Sequence, residues 1–148
     1  MLAGRLRLPL VLAAVAALSF TSAACDDTPT SPSSYAPFSK TDLLVGTGDE
    51  VVLGDVVSVH YTGWIYDASK TDQKGAMFGT SRGSGPFEVS ISENALIAGW
   101  VQGVPGMKEG GLRRLVVPPS LAYGSSRTGP IPPYATLVFE IELLEIVE

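Results

Sequence analysis

The most constraining feature of the sequence is the alternation in its last segment, residues 136–147. Large apolar residues recur there at every second position from Leu137 to Leu143, and two of the intervening positions hold Glu140 and Glu142. A period of two predicts a β-strand with one face against a core and the other toward water. Glu140 and Glu142 are interpreted as residues of the solvated face. A long one-sided strand needs partner strands, so the chain is expected to form a sheet.

Three further segments predict strands. Residues 56–61 are β-branched and aromatic and end just before Gly63, and strands are also expected over 86–91 and 112–117. Gly and Pro together number 16 + 11 of 148 residues, which indicates many turns.

Only one short segment favours a helix. It covers residues 93–102, and Gly103 and Pro105 should end it. The predicted fold class is therefore α+β, with antiparallel strands and one small helix to cover a face of the sheet.

Composition excludes several kinds of chemistry. Apolar residues make up 45% of the chain, enough for the core of a single domain, and the formal net charge is −5. Without Arg5 and Arg7 of the leader, eight basic residues face fifteen acidic ones, a balance of −7 that argues against a nucleic-acid partner. One Cys and one His allow neither an internal disulfide nor the usual zinc ligands, so no metal site is expected.

The first part of the chain is predicted to be a signal peptide, residues 1–24. Arg5 and Arg7 precede an uncharged apolar stretch that gives way to small residues. The run 22–25, Ser-Ala-Ala-Cys, resembles the lipobox of bacterial lipoproteins, which implies that Cys25 is lipidated and holds the protein on a bacterial membrane, periplasmic or at the outer surface. The lipobox usually has Leu where this chain has Ser22. Two alternatives stay open: cleavage after Ala24 without lipid, or a retained leader that acts as the anchor.

After Cys25 the chain is rich in Pro, Ser and Thr and holds almost nothing to bury. Residues 25–40 are therefore predicted to be a flexible tether, and residues 41–148 the folded domain.

Five blocks in the folded domain carry a resemblance to a known family. They read Val-His-Tyr-Thr-Gly at 59–63, Gly-Trp at 99–100, Gly-Val-Pro-Gly-Met at 103–107, Pro-Ser-Leu-Ala-Tyr-Gly at 119–124, and Ile-Pro-Pro-Tyr-Ala-Thr-Leu-Val-Phe-Glu-Ile-Glu-Leu at 131–143. In this order they resemble the FKBP-type peptidyl-prolyl cis-trans isomerases over residues 43–148. The resemblance implies a bent antiparallel half-barrel around one short helix, proline-containing polypeptide substrates and no cofactor. Nothing in the sequence suggests more than a monomer.

The resemblance also implies a pocket. Tyr61, Ile97 and Tyr123 correspond to the catalytic positions, with the Tyr123 hydroxyl as a donor near the substrate amide and the Ile97 N–H as an anchor for a substrate carbonyl. The implied substrate-binding residues are Phe78, Phe87, Val89, Leu96, Trp100, Ile131 and Phe139, with Trp100 beneath the proline ring. The single imidazole, His60, is interpreted as structural.

One departure from the family bears on this pocket. The family usually has Asp where this chain has Gly79, so the carboxylate that would accept a hydrogen bond from Tyr61 is missing. We expect weaker binding of macrolide ligands, and a water or backbone carbonyl as the new partner of the Tyr61 hydroxyl. An alternative function follows: a module that binds proline segments with weak turnover. The loops 65–77 and 125–130, the first of them predicted to be an exposed hairpin loop, also differ in length from small family members.

Overall fold

The pairing partners of the C-terminal strand organise the sheet. The structure is a computed structural model that describes residues 35–147; the predicted signal peptide, Cys25 and most of the tether lie outside the described residues. The strands in that range are β1 (Ser39–Leu44), β2 (Val56–Tyr66), β3 (Lys74–Thr80), β4 (Phe87–Ser90), β5 (Leu112–Val117) and β6 (Leu137–Val147). One α-helix, α1 (Ala98–Gly103), and one 3₁₀ turn (Pro119–Leu121) complete the described elements.

All strand pairs are antiparallel, and β6 lies at the centre of the sheet. The order is β1-β5-β6-β2-β3, and β4 pairs with the first half of β2 beside β3. Bulges interrupt the pairing of β2 with β3 and with β6, and such irregularities increase the local bend of a sheet. The predicted α+β fold, an antiparallel sheet with one short helix, is confirmed. Within residues 35–147 no helix has the length and hydrophobicity needed to cross a bilayer.

The core lies between α1 and the side of the sheet that faces it. The alternating residues of β6 supply its centre, since Leu137, Ile141 and Leu143 are completely buried. The opposite face carries Glu140 and Glu142, as predicted, and each is held by an ion pair: Glu140 with Lys74 at 2.6 Å, and Glu142 with Arg82.

Two glycines allow α1 to lie directly on β5. A Cβ at Gly103 would lie 2.6 Å from Leu115 Cδ1, and a Cβ at Gly99 would overlap the branched side chain of Val117. The pair is spaced four residues apart, so both glycines share one face of the helix. The helix backbone therefore approaches the sheet more closely than any side chain would permit.

A buried arginine ties the end of α1 to the edge strand β1. Arg113 donates to both carboxylate oxygens of Asp42, at 2.6 and 3.1 Å, and to the carbonyls of Gly103 and Pro105 at 2.8 and 3.1 Å. These hydrogen bonds and the positive charge of Arg113 hold the pKa of Asp42 below its ordinary value. Because this folded-state pKa lies below the unfolded one, the pair stabilises the fold above about pH 4. That contribution is lost as the pH falls through the folded-state pKa.

Several predicted boundaries were wrong. The second strand passes through Gly63 to Tyr66. Glycine is accommodated within the strand because the ring of Phe78 from β3 occupies the space that a Cβ at residue 63 would need. The predicted loop 65–77 is accordingly short, and Lys74 lies within β3, where its ammonium group sits 4.4 Å from the Trp64 ring centroid. Strands β1 and β3 were not predicted: β1 is exposed along its whole length, and β3 contains two glycines.

The helix was predicted too long. It begins at Ala98 because Ile97 has extended backbone, with φ −61° and ψ 147°. The residues before it form a turn in which the Ser92 carbonyl accepts from the N–H groups of Ala95 and Leu96. Such a turn satisfies the local donors without continuing a helix.

We predict that Gly99→Ala lowers the free energy of unfolding by about 1–3 kcal/mol, the usual cost of overpacking a core. On a solvent-exposed face of a helix the same change would raise the free energy of unfolding by about 0.5–1 kcal/mol. A decrease therefore indicates the close contact between Gly99 and Val117. Urea unfolding measures the effect. Gln102→Ala, at an exposed position of the same helix, is the control and should change the value by about 0.5 kcal/mol or less. A stabilised Gly99→Ala would contradict the close approach.

Candidate active site

Trp100 is the centre of a cluster of aromatic rings. Its side chain is 4% exposed, and its ring centroid lies 5.5 Å from that of Tyr61, 5.5 Å from that of Phe139 and 6.5 Å from that of Phe87. Interplanar angles of 81–88° make all three contacts edge-to-face, the geometry that the charge distribution of aromatic rings favours. The cluster therefore holds each ring in one orientation.

These rings surround an open cavity of about 650 Å³. The lining residues come from four strands, from α1 and the segment that leads into it, and from the loop after the 3₁₀ turn. They are Tyr61, Phe78, Phe87, Asn94, Ala95, Leu96, Ile97, Ala98, Trp100, Ala122, Tyr123 and Phe139. The volume lies within the range of about 300–1,000 Å³ typical of ligand sites.

Eight of the ten residues that the sequence assigned to a pocket line this cavity, and two do not. Ile131 is 4% exposed and belongs to the hydrophobic core. Val89 packs against the same core from β4. Both were predicted as substrate contacts; neither is among the residues that line the cavity, and both pack in or against the core.

The Tyr123 side chain brings a polar group into the apolar wall. It is 37% exposed, and none of the side-chain hydrogen bonds among residues 35–147 uses its hydroxyl. Burial raises the pKa of Tyr123, and the nearby Tyr61 raises that pKa further. The hydroxyl thus keeps its proton at neutral pH and is available as a donor.

A second donor is the backbone N–H of Ile97. The Ile97 carbonyl accepts from Trp100 and Val101, which anchors the residue to the first turn of α1. No described hydrogen bond uses its N–H, although Ile97 lines the cavity. An unpaired N–H beside a cavity is a natural partner for a ligand carbonyl.

Ser81 positions the backbone of Tyr61, a role that sequence reasoning missed. Ser81 Oγ accepts from the Tyr61 N–H at 2.9 Å, and the Ser81 N–H donates to the Tyr61 carbonyl at 3.0 Å. His60 Nδ1 lies 3.1 Å from the same Oγ. The imidazole therefore has a hydroxyl partner within the wall, in agreement with its structural interpretation.

Gly79 lies near the hydroxyl of Tyr61, the group that an Asp carboxylate at this position would contact. A Cβ at Gly79 would find one neighbour within 4 Å, the Tyr61 hydroxyl oxygen at 4.0 Å. No backbone carbonyl among residues 35–147 accepts from that hydroxyl, so of the two expected partners, a water or a carbonyl, the water stays a prediction.

Four lining residues were not predicted: Asn94, Ala95, Ala98 and Ala122. Each is adjacent in sequence to a predicted residue or separated from one by a single position, so adjacency was the only available signal. Small residues such as alanine form a wall through backbone placement, which residue type does not reveal.

Comparisons with known proteins agree with this geometry. Residues 48–144 match the family described as FKBP-type peptidyl-prolyl cis-trans isomerase. The FK506-binding protein of Neisseria meningitidis serogroup B is 42% identical over 108 residues, which cover 72% of this chain and 94% of that protein. FK506-binding protein 1 of Aspergillus oryzae is 44% identical over 105 residues, 68% of this chain and 90% of that protein.

Solved structures show the same fold. FkpA from Escherichia coli aligns with a TM-score of 0.63 and 34% identity over 74% of this chain and 47% of its own. A peptidyl-prolyl cis-trans isomerase from Pseudomonas syringae aligns with a TM-score of 0.62 and 32% identity, over 75% of this chain and 76% of its own. With the ring-lined cavity and its two free donors, these matches show that the chain belongs to the FKBP-type peptidyl-prolyl cis-trans isomerase family.

Proposed function

We propose that this protein isomerises X-Pro bonds of exported polypeptides at the bacterial cell envelope, and that the cavity acts mainly by excluding water. The observation that carries the proposal is the convergence of Tyr61, Trp100 and Tyr123 on one hollow. Rotation about an X-Pro amide faces a barrier of ~18–20 kcal/mol and takes tens to hundreds of seconds without a catalyst.

Desolvation favours the transition state over the ground state. The planar amide is strongly polar, and water stabilises it; the twisted amide has lost resonance and is less charge-separated. A cavity walled by rings withholds that water, so it disfavours the planar form more than the twisted one. The proline ring would lie on Trp100, whose edge-to-face contacts keep the floor rigid.

The two free donors complete the proposed mechanism. The Ile97 N–H would hold a substrate carbonyl, which fixes the chain on one side of the rotating bond. The Tyr123 hydroxyl would donate to the amide as its nitrogen becomes more basic. Tyr61, whose ring packs against Phe87 and Trp100, would form the wall beside the rotating bond.

We predict that Tyr123→Phe lowers kcat/KM for a proline peptide by about three- to ten-fold, the worth of one hydrogen bond, without changing the urea midpoint. For the protein without this substitution we expect a constant kcat/KM from pH 6 to 9, because the raised pKa of Tyr123 keeps its hydroxyl protonated. Exchange spectroscopy by NMR on a proline peptide measures both. If Tyr123→Phe lost activity and stability to the same extent, Tyr123 would be a residue of the core and not a catalytic donor.

The alternative, a binding module with weak turnover, rests on Gly79. An Asp at this position would place its carboxylate within reach of the Tyr61 hydroxyl, because its carboxylate oxygens lie two bonds beyond a Cβ that would be 4.0 Å from that hydroxyl oxygen. We predict that Gly79→Asp raises kcat/KM and FK506 affinity by about ten- to a hundred-fold, a hydrogen bond to a charged group being worth about 1.5–3 kcal/mol. Gly79→Asn is the uncharged control of equal size. A protein that binds proline peptides without changing their exchange rate would favour the binding module.

We also propose that Cys25 carries the lipid that holds the protein at the membrane. An exported chain with one unpaired thiol is unusual, and acylation would account for it; more than one acyl chain is needed for stable anchoring. We predict that Cys25→Ser releases the protein from the membrane fraction and abolishes incorporation of radiolabelled palmitate. A soluble, unlabelled protein with Cys25 intact would indicate cleavage after Ala24, and an uncleaved mass would indicate a retained leader.

A further inference from the structure

A second, smaller cavity lies beside the ring-lined one and shares part of its wall. It has a volume of about 250 Å³ and is lined by Glu93, Leu96, Ala98, Val101 and Gln102. Leu96 and Ala98 also line the 650 Å³ cavity. The two cavities therefore flank the same stretch of chain at the start of α1.

The size of the second cavity limits its occupant to a single side chain. Sites that enclose a whole small ligand measure about 300–1,000 Å³, and 250 Å³ falls below that range. Residues of an extended peptide follow one another at ~3.3 Å. A polypeptide with its proline on Trp100 would therefore carry a neighbouring side chain past Leu96 and Ala98.

The chemistry of the lining selects the type of side chain. Leu96, Ala98 and Val101 form apolar walls, and Glu93 places a carboxylate at the rim. The ion pairs among residues 35–147 use other acids, so the Glu93 carboxylate has no cation of its own there. Lysine and arginine side chains combine an apolar stem with a cationic end. The negative net charge of the chain adds a favourable field for such a group.

We infer that the second cavity is a subsite for a basic side chain that flanks the substrate proline, with Glu93 as the specificity-determining residue. The inference rests on the proposed function, because it needs a polypeptide in the ring-lined cavity. It identifies a class of substrate: proline segments with Lys or Arg within about two residues of the proline.

The test uses the full chain and a set of proline peptides that carry Lys, Gln or Glu at one of the two positions on either side of the proline. NMR exchange gives kcat/KM for each peptide, and shift titration gives its Kd even where turnover is absent. At one position at least we expect the Lys peptide to exceed the Glu peptide by about two- to five-fold, the effect of a partly solvated ion pair. Added salt should reduce that preference.

Three variants separate the subsite from general electrostatic attraction. Glu93→Gln should abolish the preference, and Glu93→Lys should reverse it. Glu145→Gln makes the same change in net charge at an exposed residue that lines neither cavity, and it should keep the preference. Val101→Trp, which fills the second cavity, should remove the preference for the Lys peptide over the Glu peptide.

Two results would overturn the inference. One is equal kcat/KM and Kd for the Lys and Glu peptides. The other is an equal loss of preference in Glu93→Gln and Glu145→Gln, which would assign it to the overall charge. If every peptide binds with the expected preference but none is isomerised, the proposed function fails and the subsite stands. If all are isomerised equally, only the subsite fails.

Discussion

The close approach of α1 to the sheet is the constraint on which the site depends. Gly99 and Gly103 let the helix backbone lie directly against strand β5, at Val117 and Leu115. This close approach places the Trp100 ring in contact with the rings of Tyr61 and Phe139. A side chain at either glycine would lift the helix and with it the floor of the cavity. Arg113 reinforces the arrangement from the other end of the helix, where it joins the Gly103 carbonyl to Asp42 of β1.

The site combines rigidity with an absence of titrating groups in its floor. Edge-to-face contacts fix the rings, and the two free donors of the lining residues, the Tyr123 hydroxyl and the Ile97 N–H, keep their protons near neutral pH. Glu140 and Glu142 of β6 lie on the opposite side of the sheet in ion pairs. This separation suits a reaction in which no bond is broken, since charged groups in the cavity would attract the water that the proposed mechanism excludes.

Much of the site could be predicted because its residues occur in recognisable blocks. Tyr61, Trp100 and Tyr123 lie within blocks that resemble the family, and all three line the cavity. Ile131 lies in such a block too, yet it packs in the core and is not among the residues that line the cavity; membership of a motif does not by itself assign a residue to the cavity. Ala95, Ala98 and Ala122 gave no signal, because alanine is compatible with a helix, a loop or a core.

For the fold, the sequence by itself determined which strands alternate between apolar and polar residues and which face of β6 packs against the core. Both follow from the alternation of side chains along a strand, which depends only on local geometry. It did not determine β1 or β3. An exposed edge strand and a strand with two glycines are stable through their partners, β5 and β2, and those partners are distant in sequence. The depth of Trp100, the empty space at Gly79 and the shared wall of the two cavities were likewise decided by tertiary structure, since each depends on how closely α1 and the strands pack.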